Sequence, residues 1–290
     1  MKVSYYPGCS LEATGKPYDD STRQVCRALE VQLEEIPGWI CCGSSPALKM
    51  NQLLSVALGA FNLAAAEKRP QAEVVAPCPF CFRRLLSAQE EIGQDQKLKA
   101  RVEQAIEKDL TGQLTVHNLL GFLHDAVGLP AIAAQVKRPL TGLKVLPYYG
   151  CYLVKPPRVT HYEDPDNPTA LDDILRVLGA EVLDWDFKTE CCGAGLSVSK
   201  TERVVELSGR LIREAAWRGA DAVVVVCQLC QANLDMRQRE IGRQNRRRYQ
   251  LPILYFTQLM GLAFGLHPRT LGLHHHLVDP LALLHQKRLL

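Results

Sequence analysis

The residues of this chain with the clearest chemical potential are its cysteines, and ten of the eleven follow one pattern that occurs twice. Each copy has a glycine before a single cysteine, then an adjacent cysteine pair followed by glycine, then two cysteines separated by two residues. The spacings are C-x31-CC-x35-C-x2-C and C-x39-CC-x34-C-x2-C. The first copy comprises Gly8-Cys9, Cys41-Cys42-Gly43 and Cys78-Pro79-Phe80-Cys81, and the second comprises Gly150-Cys151, Cys191-Cys192-Gly193 and Cys227-Gln228-Leu229-Cys230. The chain therefore contains one cysteine-rich unit made twice.

Five thiols in each copy favour an iron–sulfur site over a single metal ion. Thiolate sulfur is a soft ligand that suits zinc, copper(I) and iron–sulfur clusters. Four thiolates already complete a tetrahedral zinc site, so a fifth would be left over. Adjacent cysteines serve a single ion poorly because successive side chains diverge, whereas they can reach two irons of one cluster. Recurrence of the whole frame disfavours a vicinal disulfide at Cys41-Cys42 and an isolated redox-active CxxC pair.

Composition restricts the class of protein. A hydrophobic content of 47% in 290 residues supplies cores for about two domains. The net charge of +3 does not indicate a nucleic-acid partner. Because no secretory leader pattern follows Met1, we expect a cytoplasmic protein with reduced thiols. The uncharged run 249–268 contains proline, glycines and polar residues, and it is not predicted to span a membrane.

Short β-branched runs alternate with helix-like stretches in both halves, which predicts an α/β fold with mainly parallel sheets. Cys9, Cys78, Cys151 and Cys227 each stand where a strand pattern ends, and sites in parallel sheets form at that edge. Cys26 lies in a helix-like stretch, and we expect it to be a core residue. In the first half, we predict strands at Val3–Tyr6, Val31–Ile36 and Val74–Ala76 and helices around Ser21–Leu29, Leu53–Lys68 and Phe82–Glu91.

The repeat also predicts the domain organisation. We place a first domain at residues 1–138 and a second at 143–270, joined by a short link that contains Pro139 and Gly142. Residues 271–290 form a tail rich in leucine and histidine, outside the repeat. Such a tail is expected to pack on the body of the protein or on another subunit.

The duplicated frame resembles the cysteine-rich CCG domain, and over residues 1 to about 262 the chain resembles the B subunit of heterodisulfide reductase. That resemblance implies two Rossmann-like CCG domains related by a pseudo-twofold axis, each holding a noncubane [4Fe-4S] cluster. Two departures concern the second site: 34 residues separate Cys192 from Cys227, and Gln228 replaces the proline found as Pro79. Zinc in the second half is therefore kept as a minor alternative. The implied iron ligands are Cys9, Cys41, Cys42, Cys78 and Cys81 for one cluster and Cys151, Cys191, Cys192, Cys227 and Cys230 for the other.

The resemblance further implies a catalytic subunit that reduces a heterodisulfide to two thiols, as the family does with the disulfide of coenzyme M and coenzyme B. The sequence has no ferredoxin-type cysteine spacing, so a partner must bring electrons. The implied partners are a flavoprotein A-like subunit and a ferredoxin C-like subunit. The alternative is a CCG-type electron-transfer subunit that serves a quinone or another oxidoreductase. A third hypothesis is a zinc-binding assembly subunit.

Two clusters that flank one disulfide would match its need for two electrons, because each could receive one sulfur as the bond breaks. This arrangement predicts a pocket between the halves, walled by the loops 10–20 and 152–168. The side chains in these loops that could hold an anionic substrate or deliver protons are Lys16, Lys155, Arg158 and His161.

Overall fold

The strands form two parallel sheets, one in each half of the chain. The computed structural model describes residues 1–290, with the exception of the side chain of Ser45. The first sheet has the order β2-β1-β3-β4 and the second has the order β6-β5-β7-β8, so each strand has a counterpart four numbers later. The predicted α/β fold with two Rossmann-like halves is thereby confirmed. The strands are β1 (Lys2–Tyr5), β2 (Gln32–Glu35), β3 (Glu73–Ala76), β4 (Thr115–Asn118), β5 (Lys144–Tyr148), β6 (Glu181–Val182), β7 (Ala222–Val225) and β8 (Ile253–Tyr255).

Helices connect the strands, and the three helices predicted in the first half are present. The first begins at Lys16, five residues before the predicted start, and a proline in its first turn favours that boundary. A π-helix covers Phe122–Gly128, and short 3₁₀ turns cover Ala194–Leu196 and Leu273–His275. The α-helices are α1 (Lys16–Ala28), α2 (Ser44–Met50), α3 (Gln52–Glu67), α4 (Pro79–Gln94), α5 (Gln96–Ile106), α6 (Leu119–Gly121), α7 (Leu129–Gln135), α8 (Cys151–Val154), α9 (Pro157–Thr160), α10 (Ala170–Val177), α11 (Thr201–Trp217), α12 (Gln228–Met236), α13 (Gln238–Asn245), α14 (Phe256–Ala263) and α15 (Leu281–Gln286).

The strand order determines where a site can form. In the first sheet the chain runs from β1 to its neighbour β2 and then crosses to β3 on the other side of β1, and the second sheet repeats this path with β5, β6 and β7. The connections therefore diverge between β1 and β3 and between β5 and β7. Crevices for ligands open at such switch points, beyond the carboxyl ends of the strands. All residues of β7 are buried, as expected for a central parallel strand covered on both faces. The two halves therefore each present one crevice.

The two halves share one continuous apolar core, and α1 supplies much of their contact. The ring of Tyr18 stacks on that of Tyr255 with 4.5 Å between centroids. The hydroxyl of Tyr18 donates to the carbonyl of Val226 at 3.2 Å, and Ser21 is hydrogen-bonded to Thr257 at 2.7 Å. These buried contacts join residues more than 200 positions apart, so the halves are held in one fixed arrangement.

The tail packs on the body of the protein. Leu271, Leu273 and Leu284 are buried within the common core. His276 is also mostly buried, and its ring is hydrogen-bonded to the side chains of Gln231 and Gln258. Burial lowers the pKa of His276 to about 4, so this ring is neutral at physiological pH. The tail was expected to pack on the body of the protein or on another subunit, and the structure shows it on the body of the protein.

Within the described residues, no helix is both long enough and apolar enough to cross a membrane. The uncharged run 249–268 instead contains β8 and α14, both of which are buried in the second half. The helix predicted around Leu53–Lys68 is α3, and Asn51 is its N-cap. These segments are apolar because they pack inside an α/β protein.

The contact between the halves can be tested at Tyr18. Tyr18→Ala is expected to lower the free energy of unfolding by about 3–5 kcal/mol, because it removes a buried ring between the halves. Tyr18→Phe removes only the hydroxyl and its hydrogen bond, which is expected to cost about 1 kcal/mol. Guanidinium unfolding measures both. Trp217→Ala is the control because Trp217 is 76% exposed, and an equal loss in that variant would contradict this account.

Candidate functional site

Three loops at the carboxyl edge of the first sheet carry its five cysteines. Cys9 lies just beyond β1, the adjacent pair lies beyond β2, and Cys78 lies just beyond β3. Cys78 is the N-cap of α4, Pro79 occupies its first turn, and Cys81 in that turn contacts both Cys78 and Cys42. The second sheet has the same order of loops, with Cys227 as the N-cap of α12. Parallel strands thus bring together cysteines that are far apart in the sequence.

The thiols of the first copy, here called the first cysteine group, meet in a chain of close contacts. The sulfur atoms of Cys9 and Cys41 are 3.4 Å apart, and those of Cys42 and Cys81 are also 3.4 Å apart. Cys41 contacts Cys42, and Cys78 contacts Cys81 through hydrogen bonds between their thiols. All five predicted residues of this half are therefore brought to one place.

The second cysteine group repeats this arrangement with a small difference. The sulfur atoms of Cys192 and Cys230 are 3.5 Å apart, and Cys230 also contacts Cys227. Cys151 is hydrogen-bonded to Cys191, whose sulfur accepts a bond from the backbone N–H of Gly193 at 3.3 Å. The five thiols thus form one pair and one group of three. One residue fewer between Cys192 and Cys227 does not prevent them from gathering.

Glycines let the backbone approach the sulfurs closely. Gly8 has φ of +73°, and a Cβ placed there would lie 2.7 Å from the sulfur of Cys81. Gly150 has φ of +69°, and its Cβ would lie 3.1 Å from the sulfur of Cys230. Positive φ and lack of space both require glycine at these positions. The backbone at Gly8 and Gly150 thus lies directly against the sulfur atoms, as expected where several loops hold one bound group.

The charge state of the crowded thiols favours a cationic group among them. Hydrogen bonding from Cys41 lowers the pKa of Cys42 to about 3, while the pKa of Cys41 rises. The pKa of Cys191 falls to about 6 because the thiol of Cys151 donates to it. Bonding to other thiols and burial raise the pKa of Cys81 and of Cys230. Some thiols ionise only while their neighbours keep protons, so full deprotonation requires metal cations between them.

The remaining cysteine behaves differently. Cys26 is buried in α1 with 1% of its surface exposed, and it belongs to the apolar core. Burial raises its pKa to about 12. It is therefore an inert core thiol, as expected from the sequence.

A cavity of about 220 Å³ lies between the halves, next to the second cysteine group. Its wall includes all five cysteines of that group together with Lys49, Pro79 and Phe80 from the first half. The ring of Phe80 stacks on that of Tyr152 with 3.8 Å between centroids. Because Phe80 precedes Cys81 and Tyr152 follows Cys151, this aromatic pair connects the two cysteine groups. Tyr152 belongs to the loop 152–168 that was predicted to wall a pocket between the halves, whereas no residue of the loop 10–20 lines this cavity. Reasoning from the sequence missed Phe80, although its position inside a cysteine motif was an available signal.

The four charged residues predicted for the pocket do not line this cavity. Lys16 lies at the start of α1 and forms ion pairs with Asp19 and Asp20, each at 3.0 Å. Lys155 is paired with Asp166 at 3.2 Å. Arg158 lies in α9, and His161 is the residue that ends it. A role for Lys16, Lys155, Arg158 and His161 toward a substrate stays a prediction.

A single metal ion fits the site less well than a larger group. Among the described residues, no set of three or more His, Cys, Asp or Glu side chains is arranged around one ion. The sulfurs instead follow an extended path from the exposed Cys9 and Cys41 to the buried Cys78. Ligands spread in this way suit a group of several metal atoms.

Comparison with known proteins identifies the family. The model of the cysteine-rich CCG domain matches residues 3–85 and 145–235, and the chain therefore belongs to that family and carries the domain twice. The chain is 31% identical over 281 residues to the 8-methylmenaquinol:fumarate reductase membrane anchor subunit of Wolinella succinogenes, a match that covers 96% of this chain and 97% of that protein. It is also 26% identical to the B subunit of the ferredoxin:CoB-CoM heterodisulfide reductase of Methanosarcina mazei, over 96% of this chain and 94% of the relative. The resemblance drawn from the cysteine frame is thus confirmed.

A third relative and one solved structure extend this comparison. A protein of Archaeoglobus profundus that is named as similar to the B subunit of heterodisulfide reductase is 26% identical over 92% of each chain. The crystal structure of a hypothetical protein from Helicobacter pylori matches with a TM-score of 0.77 at 12% identity. That match covers 96% of this chain and 52% of the other, so this chain spans about half of its length. The likeness shows the two-domain fold alone.

The cradle around the sulfurs can be tested at Gly8. Gly8→Ala and Gly38→Ala both place a Cβ at positive φ, which is expected to cost about 1–2 kcal/mol of folding free energy in each variant. Only the Cβ at position 8 meets a sulfur atom, whereas nothing lies within 4 Å of the one at position 38. Gly8→Ala should therefore lose clearly more stability in thermal and chemical unfolding. Equal losses would show that the close approach to Cys81 is unimportant.

Proposed function

We propose that this chain is the catalytic iron–sulfur subunit of a heterodisulfide-reductase-like complex and that it reduces a disulfide to two thiols. The observation that carries the proposal is the gathering of five thiols at the switch point of each half, with a cavity between the halves. In this proposal Cys9, Cys41, Cys42, Cys78 and Cys81 hold one noncubane [4Fe-4S] cluster, and Cys151, Cys191, Cys192, Cys227 and Cys230 hold the other. Bound clusters of this kind would supply the electrons that a disulfide needs.

The second cluster would occupy the part of the cavity next to its five cysteines, and the remaining part suits a small substrate with an apolar middle and an anionic end. Phe80 and Tyr152 form a flat apolar wall, and apolar surroundings exclude water and strengthen electrostatic contacts. Lys49 is the cationic side chain among the residues that line it. We infer that Lys49 attracts an anionic group of the substrate, while the aromatic pair holds the disulfide beside the cysteine groups.

The proposed partners are the subunits that would deliver electrons to this chain. The proposed complex contains a flavoprotein A-like subunit and a ferredoxin C-like subunit, and it works in the cytoplasm. Cys9, Cys41 and Cys191 are exposed, so both cysteine groups have an edge that a donor can approach. This exposure supports electron entry at the surface and chemistry in the cavity between the halves.

A second candidate function is favoured by one specific observation. The relative from Wolinella succinogenes matches at 31% identity over nearly the whole chain, and its name couples 8-methylmenaquinol to fumarate. The alternative proposal is therefore a CCG-type electron-transfer subunit that serves a quinone or another oxidoreductase. Both proposals use the same ten cysteines and differ in what enters the cavity.

The cluster proposal predicts a defined metal content. Anaerobic reconstitution should give roughly eight iron atoms and as much acid-labile sulfide per chain, as two [4Fe-4S] clusters require. Cys81→Ala and Cys230→Ala should each remove about half of the iron, because each disrupts one group. Cys26→Ala is the matched control: it removes a buried thiol outside both groups and should leave the iron content unchanged. Wild-type protein that takes up zinc alone, or no iron and sulfide, would overturn the proposal.

The two candidate functions are distinguished by turnover. With a reduced viologen as donor, the reconstituted protein should reduce the mixed disulfide of coenzyme M and coenzyme B. Phe80→Leu should raise KM about tenfold, which corresponds to about 1.4 kcal/mol of lost binding to the aromatic wall. Phe61→Leu is the control because this half-buried ring packs under Lys108, away from the cavity. Oxidation of a menaquinol analogue without any disulfide turnover would favour the alternative.

A further inference from the structure

The two halves differ at two buried positions beside their cysteines. Gln228 and Pro79 are the second residues of the two CxxC motifs. Three residues after the last cysteine of each motif, the first half has Arg84 and the second has Asn233. All four side chains are buried. Equivalent positions of the two similar halves therefore carry chemically different side chains.

Gln228 reaches across from the second half to the first cysteine group. Its amide nitrogen lies 2.9 Å from the sulfur of Cys78, and 2% of its surface is exposed. A deprotonated sulfur only accepts hydrogen bonds, so the N–H side of the amide must face it. The amide oxygen has no hydrogen-bond partner among the described residues. Pro79 has no side-chain donor and cannot form the reciprocal bond to Cys227.

Arg84 places a positive charge inside the first half. It is 6% exposed, and it donates to the backbone carbonyl of Ser55 at 2.9 Å. In the described part of the chain, no carboxylate forms an ion pair with it, and it lies one turn of α4 beyond Cys81. A buried charge without a carboxylate partner needs another anion nearby. The equivalent Asn233 is neutral, and its amide donates to the carbonyl of Cys192, the hydroxyl of Ser208 and the sulfur of Cys192.

We propose that Gln228 and Arg84 are positioning residues that raise the reduction potential of the cluster held by the first cysteine group. Reduction adds negative charge to a cluster, and both an N–H donor to a ligand sulfur and a nearby cation stabilise that charge. Gln228 contacts a sulfur of the first group, and Arg84 lies in α4 of the first half.

This inference rests on the proposed function, because it presupposes a cluster in each half. It is tested by reductive titration of the reconstituted full-length protein, followed by electron paramagnetic resonance. Gln228→Leu removes the donor at similar volume, and Arg84→Asn replaces the cation with the residue of the other half. In each variant, one of the two potentials should fall while the other stays in place. Gln238→Leu is the matched control, since Gln238 is an equally buried glutamine that contacts Leu251 and no cysteine.

The outcomes separate this inference from the proposed function. Should the branched leucine disturb packing and iron binding, Gln228→Pro provides the second variant, because proline is favoured at the first position of α12 and occupies the same place in the first half. Wild-type protein without clusters would overturn the proposed function itself. Two clusters whose potentials stay unchanged in both variants, or fall equally, would overturn only the role of Gln228 and Arg84.

Discussion

The structure depends on the meeting of three parallel-strand ends at one point in each half. Cysteines more than 30 residues apart in the sequence have sulfur atoms 3.4 Å apart because their loops leave the same edge of a sheet. Crowding of this kind opposes full ionisation of the thiols, since neighbouring negative charges repel. The fold thus holds the ligands close together, and bound cations would offset the repulsion that this closeness imposes.

Duplication of the unit creates a second constraint, the arrangement of the halves. The contact made by α1, with Tyr18 stacked on Tyr255, holds the halves so that Lys49, Pro79 and Phe80 of the first half meet the second cysteine group at one cavity. Phe80 stacks on Tyr152, and this contact joins the two cysteine motifs beside that cavity. Neither half alone contains this wall. The cavity is therefore a property of the duplicated chain, which explains why both copies must keep their relative position.

The sequence was sufficient for much of the fold because its signals were local. Alternation of β-branched runs with helical stretches located three strands and three helices of the first half, and the spacing of the cysteines revealed the repeat. The start of α1 was placed too late, since a polar first turn carries little periodic signal. Contacts across the halves could not be predicted, because the bond from Gln228 to Cys78 joins residues 150 positions apart. Lys16 is different, because its partners Asp19 and Asp20 lie one turn further along α1, a spacing that the sequence already shows. Lys155 meets Asp166 through the path of the loop after α9, which carries no periodic signal.

The two halves have nearly the same backbone but different side chains around their cysteines, and this difference affects the energy of adding an electron to each site. The main chain fixes where each group of sulfurs lies, and it does so in nearly the same way twice. The energy of adding an electron depends instead on the dipoles and charges that surround those sulfurs. Such groups act more strongly in a buried, apolar setting than in water, since the local dielectric constant is low. A few buried substitutions, such as arginine opposite asparagine, can therefore make two similar sites unequal while the frame of cysteines stays intact.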